Sequence, residues 1–102
     1  SGGYNIYPKE VELVIDEVPG VTESAIIGVP HPDFGEAVVA VVVADKTATL
    51  TADTIKAAIG GDLARFKQPK AVVLVKELPR NTMGKVQKKA LRDAYAGLFQ
   101  PG

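Results

Sequence analysis

The sequence predicts an α+β fold in which three helices pack on a small three-stranded sheet. Two patterns point to it. Residues 23–29, 36–44 and 71–75 are rich in β-branched apolar side chains and bounded by turn residues. Residues 9–18, 51–65 and 86–98 repeat apolar side chains at helical spacing. The chain has 102 residues, 46% of them hydrophobic and 24% charged, which suits one small domain able to bury a core.

In chain order, Ser1-Gly2-Gly3-Tyr4-Asn5-Ile6-Tyr7 alternates weakly around two adjacent glycines. It is compatible with an extended binding loop that lets a ligand approach closely, or with a frayed terminus. Pro8 suits the first turn of a helix over 9–18, with Val11, Val14, Ile15 and Val18 on one face and Glu10, Glu12, Asp16 and Glu17 on the others. Pro19-Gly20 ends it. Residues 23–29 form a short strand, closed by the turn signal Pro30-His31-Pro32-Asp33-Phe34-Gly35. The next strand, 36–44, is almost wholly apolar, as expected of a strand buried on both faces and paired antiparallel with the first. His31 stands between two prolines without a second His or Cys at ligand spacing, so it reads as a loop residue.

Thr49, Thr51 and Asp53 offer N-caps for a second helix in which Ile55, Ile59 and Leu63 recur every fourth residue through Arg65. Gly60-Gly61 loosens it, at about 1 kcal/mol per glycine. Phe66-Lys67-Gln68-Pro69-Lys70 breaks the periodicity, with Lys67 and Lys70 expected as solvated turn charges and Phe34 and Phe66 as packing residues. Residues 71–75 are the third strand. After Lys85 a last helix carries Val86, Ala90, Leu91, Tyr95 and Leu98 on one face and Lys88, Lys89, Arg92 and Asp93 on the other.

Charge and composition exclude several classes. Lys plus Arg and Asp plus Glu balance at 12 each, and no aromatic residues interleave with the basic run 80–92, so neither a nucleic-acid module nor a membrane-surface protein is expected. Cysteine is absent, which removes disulfides and thiolate metal sites and is compatible with a reducing cytoplasm. The longest apolar run, 37–44, is far too short to span a bilayer. The opening Ser1-Gly2-Gly3 resembles no signal peptide and suggests a fragment of a longer chain.

The most informative stretch is Leu78-Pro79-Arg80-Asn81-Thr82-Met83-Gly84-Lys85-Val86. A phosphate-binding P-loop would need glycine at position 79 and Ser or Thr at 86, where Pro79 and Val86 stand. What remains is a lysine beside a glycine hinge, flanked by Arg80, Lys88, Lys89 and Arg92, and able to neutralise an arriving phosphate or carboxylate. A plain turn with solvated charges is the alternative.

Four segments in order resemble a known family: residues 1–12, then Gly28-Val29-Pro30-His31-Pro32-Asp33-Phe34-Gly35-Glu36, then Phe66-Lys67-Gln68-Pro69-Lys70, then the stretch 78–86. They are similar to the signature segments of the C-terminal domain of acyl-CoA synthetases, within the adenylate-forming superfamily, and closest in wording to malonyl-CoA or methylmalonyl-CoA synthetases. The resemblance implies that residues 1–102 are a single mobile C-terminal domain, with the large N-terminal domain and the hinge residue outside this sequence. It implies ATP and CoA as cosubstrates, magnesium held mainly by the N-terminal domain, and a small carboxylic acid that becomes an acyl-adenylate and then a thioester. It implies that Lys85 is the adenylation lysine, and that Gly2, Gly3, Tyr4 and Asn5 border the pantetheine channel in the thioester-forming state. It also implies control by Nε-acetylation of Lys85 through a protein acetyltransferase and a deacetylase, for which an isolated domain could serve as substrate without catalysis of its own.

Overall fold

The computed structural model describes residues 8–33, 35–64 and 67–100. Helix α1, Pro8–Asp16, opens on proline, whose fixed φ suits the first turn, and buries Val11 and Ile15 one turn apart. It stops two residues short of the expected end because its last turn tightens. Glu17 N–H donates to the Val14 carbonyl and Val18 N–H to that of Ile15 (3.3 and 2.9 Å), and Pro19 disfavours helical geometry at Val18.

Strand β1, Val21–His31, pairs antiparallel with β2, Gly35–Ala44, from Val21 opposite Ala44 to His31 opposite Gly35, with an irregularity between Val21 and Glu23. Both strands are longer than the sequence suggested: the ladder extends into the turn, and β1 also begins two residues early, with Val21 opposite Ala44. Strand β3, Ala71–Val75, matches its expected bounds and runs parallel to β2, from Val39 opposite Ala71 to Val43 opposite Val75. The order β1-β2-β3 therefore puts the valine-rich strand in the centre. A parallel neighbour needs a crossover, and α2, Ala52–Ile59, lies within it. Thr51 caps this helix by accepting the Thr54 N–H at 3.1 Å. The helix ends at Ile59, not Arg65. Gly60-Gly61 stops it, and Gln68 Nε2 donates to the carbonyls of Gly60 and Leu63, so Leu63 stays buried outside helical structure.

Alternation along β2 divides the core. Val38, Ala40 and Val42 meet Val11, Ile15, Ile55 and Ile59 of α1 and α2 on one face. Val39, Val41 and Val43 meet Ala25, Ile27 and Val29 of β1, together with Leu78 and Leu91, on the other. The second face is covered by α3, Lys88–Tyr95. Its apolar stripe differs from the expected one. Leu91 is buried, Tyr95 and Phe99 pack beside it, Ala90 faces outward and Leu98 is 42% exposed, so the spacing that packs is 91, 95 and 99.

His31 is not a loop residue. It ends β1, its Nδ1 accepts the Asp33 N–H at 3.0 Å, and its ring lies 5.0 Å from that of Phe99. Lys67 is not a solvated turn charge either, because its ammonium meets the Glu10 carboxylate of α1 at 2.8 Å. The Lys70 N–H donates to the Val38 carbonyl and its own carbonyl accepts from Lys56 Nζ, which fastens β3 beside β2. Phe34 and Phe66 lie outside the described residues.

Candidate functional site

Leu78 is buried against the α3 face of the sheet and Val86 is half-buried there, so the chain between them is held at both ends. Residues 80–85 are all exposed, and polar bonds set their path. Arg80 and Val86 form an antiparallel bridge, and Gln87 N–H donates to the Pro79 carbonyl at 2.8 Å. Asn81 N–H donates to the Lys85 carbonyl and Gly84 N–H to the Asn81 carbonyl, both at 3.0 Å. The Asn81 side-chain oxygen accepts from the N–H groups of Met83 (2.9 Å) and Lys85 (3.0 Å). Arg80 Nη1 donates to the Gly84 carbonyl at 2.7 Å, and Nη2 pairs with Glu23 of β1. Gly84 has φ 82°, left-handed backbone that a side chain would strain.

The expected glycine hinge is therefore a braced turn. Gly84 is there to close it, and Lys85 stands on backbone whose N–H and C=O are both engaged. Three of the four flanking cations are also less available than their sequence suggested: Arg80 pairs with Glu23, Lys88 with Glu12 at 2.7 Å and Lys89 with Asp93 at 3.1 Å. Lys85 is exposed, and among the described residues no ion pair or hydrogen bond holds its ammonium. Met83, 87% exposed, forms an apolar tip two residues away. A cation with no ion pair among the described residues, on a hydrogen-bonded mount, can stabilise negative charge on a molecule brought against this face.

The sequence matches the family described as AMP-binding enzyme C-terminal domain over residues 10–85, ending on this lysine. The chain belongs to that family. The long-chain-fatty-acid–CoA ligase FadD13 of Mycobacterium tuberculosis is 46% identical over 96 residues, 94% of this chain and 19% of the ligase. The indoleacetate–CoA ligase of Aromatoleum aromaticum is 45% identical over a stretch of the same length, again 94% of this chain and 19% of its own. Among solved structures, ATP-bound MatB from Rhodopseudomonas palustris is 56% identical with a TM-score of 0.95, over 97% of this chain and 20% of MatB. The chain thus spans about a fifth of the length of these relatives.

For an AMP-binding C-terminal domain, the second set of expected site residues, Gly2, Gly3, Tyr4 and Asn5, lies outside the described residues. Two contributors were missed in the sequence. Asn81 is given no role by the sequence motifs, although Asn three residues before a glycine is the pattern of a side chain capping its own turn. The helical spacing puts Glu12 off the apolar face of the first helix and gives it no partner. In the structure its Oε2 accepts the Ile26 N–H at 2.8 Å and the Lys88 ammonium at 2.7 Å, and no local pattern announces either partner. No helix among the described residues is long and apolar enough to cross a membrane.

Proposed function

We propose that this domain serves an AMP-forming acyl-CoA ligase by presenting Lys85 to the adenylation step. In that step a carboxylate oxygen attacks the α-phosphorus of ATP, the bond to the β-phosphate oxygen breaks, and pyrophosphate leaves. Charge accumulates on the non-bridging oxygens, and the Lys85 ammonium donates to them and to the carboxylate. A positioned donor of this kind is worth about 10²–10³ in rate. The observation that carries this reading is the exposed ammonium, without an ion pair among the described residues, on a braced turn in a chain of this family.

In the second step the CoA thiolate attacks the acyl carbonyl and AMP departs. Gly2, Gly3, Tyr4 and Asn5 would then border the thin pantetheine arm, where small residues leave room. Since the turn around Lys85 is braced, exchange of the two loops calls for rotation of the whole domain on a larger N-terminal domain. That domain would hold most of the ATP and acyl pocket, so residues 1–102 alone are expected to form no thioester from ATP, CoA and an acid. Among the described residues no group of three or more His, Asp or Glu side chains is placed to hold a metal ion, and magnesium accompanying ATP would be held mainly by the N-terminal domain. For the acid we favour malonate or methylmalonate. The wording of the signature segments supports this, as does identity to MatB (56%) above that to the fatty-acid ligase (46%). ATP and CoA as cosubstrates fit a cytoplasmic protein.

The exposure of Lys85 also supports regulation by Nε-acetylation, which would remove the charge the adenylation step uses. A protein acetyltransferase and a deacetylase are the partners this requires.

The test is Lys85→Ala in the full-length ligase, assayed by half-reaction. Adenylation, followed by pyrophosphate exchange, is expected to fall about 10²–10³-fold, while thioester formation from supplied acyl-adenylate persists. Equal loss of both, or of neither, would refute the assignment. For regulation, mass spectrometry after exposure to an acetyltransferase and acetyl-CoA should find the modification at Lys85; even labelling of Lys88 and Lys89 would count against it.

A further inference from the structure

We infer that Asn81 is a positioning residue for Lys85, holding the lysine backbone in the one geometry from which its ammonium meets the reacting oxygens. This deepens the adenylation role proposed above and rests on it. Asn81 bonds Lys85 from both sides: its Oδ1 accepts the lysine N–H and its own N–H donates to the lysine carbonyl, each at 3.0 Å. The same Oδ1 takes the Met83 N–H at 2.9 Å, and the Asn81 carbonyl accepts from Gly84. A single residue therefore touches three of the four that follow Thr82 and precede Gln87.

No burial competes with it. Residues 80–85 are exposed, so apolar packing cannot order them, and ordering each one costs backbone conformational entropy. A lysine that supplied only diffuse charge would need no such order. One that must stand within hydrogen-bonding reach of a transferring phosphoryl group needs it, since displacement by about 1 Å can cost on the order of 10²-fold in rate. Arg80 completes the mount from outside. Nη1 fixes the Gly84 carbonyl while Nη2 is tied to Glu23, which registers the turn against β1.

The experiment compares Asn81→Ala, Asn81→Ser and Lys85→Ala in the full-length ligase, with the first two also made in the 102-residue chain. Asn81→Ala removes the bonds accepted by Oδ1, whereas Ser offers a hydroxyl that mimics them more weakly. Expected for Asn81→Ala is a drop in adenylation of about 10-fold or more at saturating ATP, with thioester formation from supplied acyl-adenylate unchanged. Asn81→Ser should recover part of the loss. In the 102-residue chain, amide exchange at Met83 and Lys85 should accelerate about 10-fold in Asn81→Ala while the core amides keep their protection. Parental adenylation in Asn81→Ala beside a crippled Lys85→Ala would overturn the inference and leave the lysine's role intact. Parental adenylation in Lys85→Ala would remove that role and this inference together. Equal loss of both half-reactions, or unchanged exchange at Lys85, would also overturn it.

Discussion

Removing the carboxylate of Glu12 should destabilise the domain more than its place on a helix surface suggests. β1 is an edge strand, and the Ile26 N–H points off its unpaired side. Glu12 Oε2 accepts that N–H at 2.8 Å and the Lys88 ammonium at 2.7 Å, with its own side chain only 14% exposed. A hydrogen bond to an ionised acceptor contributes about 1.5–3 kcal/mol, and Ile26 is 2% exposed, so water is poorly placed to replace it. The ion pair itself adds at most about 1 kcal/mol, because Lys88 is a third exposed. Glu12→Ala should therefore cost about 2–3 kcal/mol, and Glu12→Gln, which keeps an acceptor for Ile26, about 1 kcal/mol. Urea unfolding of the 102-residue chain measures both, and a cycle with Lys88→Met isolates the ion pair. A loss below about 0.5 kcal/mol for Glu12→Ala, or equal losses for Ala and Gln, would show that the edge N–H does not depend on this carboxylate. The contact bears on function as well. α1 follows the segment containing residues 2–5, and Lys88 stands three residues after Lys85, so this carboxylate ties together the elements next to both proposed loops.

Alanine at two left-handed glycines should separate strain from crowding. At Gly84 (φ 82°) an added Cβ meets nothing within 4 Å, so about 1–2 kcal/mol of backbone strain is expected; at Gly20 (φ 95°) it would also lie 2.9 Å from Ala48 Cβ and 3.1 Å from Leu50 Cδ1. Gly20→Ala should thus lower the urea midpoint further, and the reverse order would contradict the packing described around Leu50. Asp45 Oδ1 accepts from the Thr47 backbone N–H and hydroxyl, which holds its carboxyl below the usual value of 3.8. Because the folded pKa is the lower one, the contribution of this group is present above about pH 4 and fades as pH falls through the folded value. The stability gap between the parent and Asp45→Asn at pH 7 should therefore narrow as pH falls through the lowered folded value, and a gap of constant size would refute the linkage.

The elements most legible in advance were those whose pattern is local. The valines of 36–44 predicted a strand covered on both faces, and β2 is that strand; 71–75 matched β3 residue for residue. Boundaries slipped where a tertiary partner arbitrates. α2 stops at Gly60-Gly61, where Gln68 Nε2 donates to the Gly60 and Leu63 carbonyls, and the α3 stripe shifts to 91, 95 and 99 because Phe99 packs beside it on the β1 side. The lysine beside the glycine was visible as a candidate, and its family segments with it. That its mount is a hydrogen-bonded turn was not visible, because a glycine reads equally as a hinge or as a turn until its φ and its neighbours' bonds are known.

By itself the sequence determined which segments become helix or strand, which strand is central, and which lysine stands at the loop, because side-chain periodicity and turn chemistry act over a few residues. Only the tertiary structure decided that β3 runs parallel to β2, that Glu12 holds Lys88, and that Glu23 takes Arg80. The ion-paired residues lie 76 and 57 positions apart, and their meeting depends on where whole elements come to rest on the sheet. Lys85 is left without an ion pair among the described residues for the same reason: packing brings carboxylates to Arg80 and Lys88 and none of the described ones to Lys85.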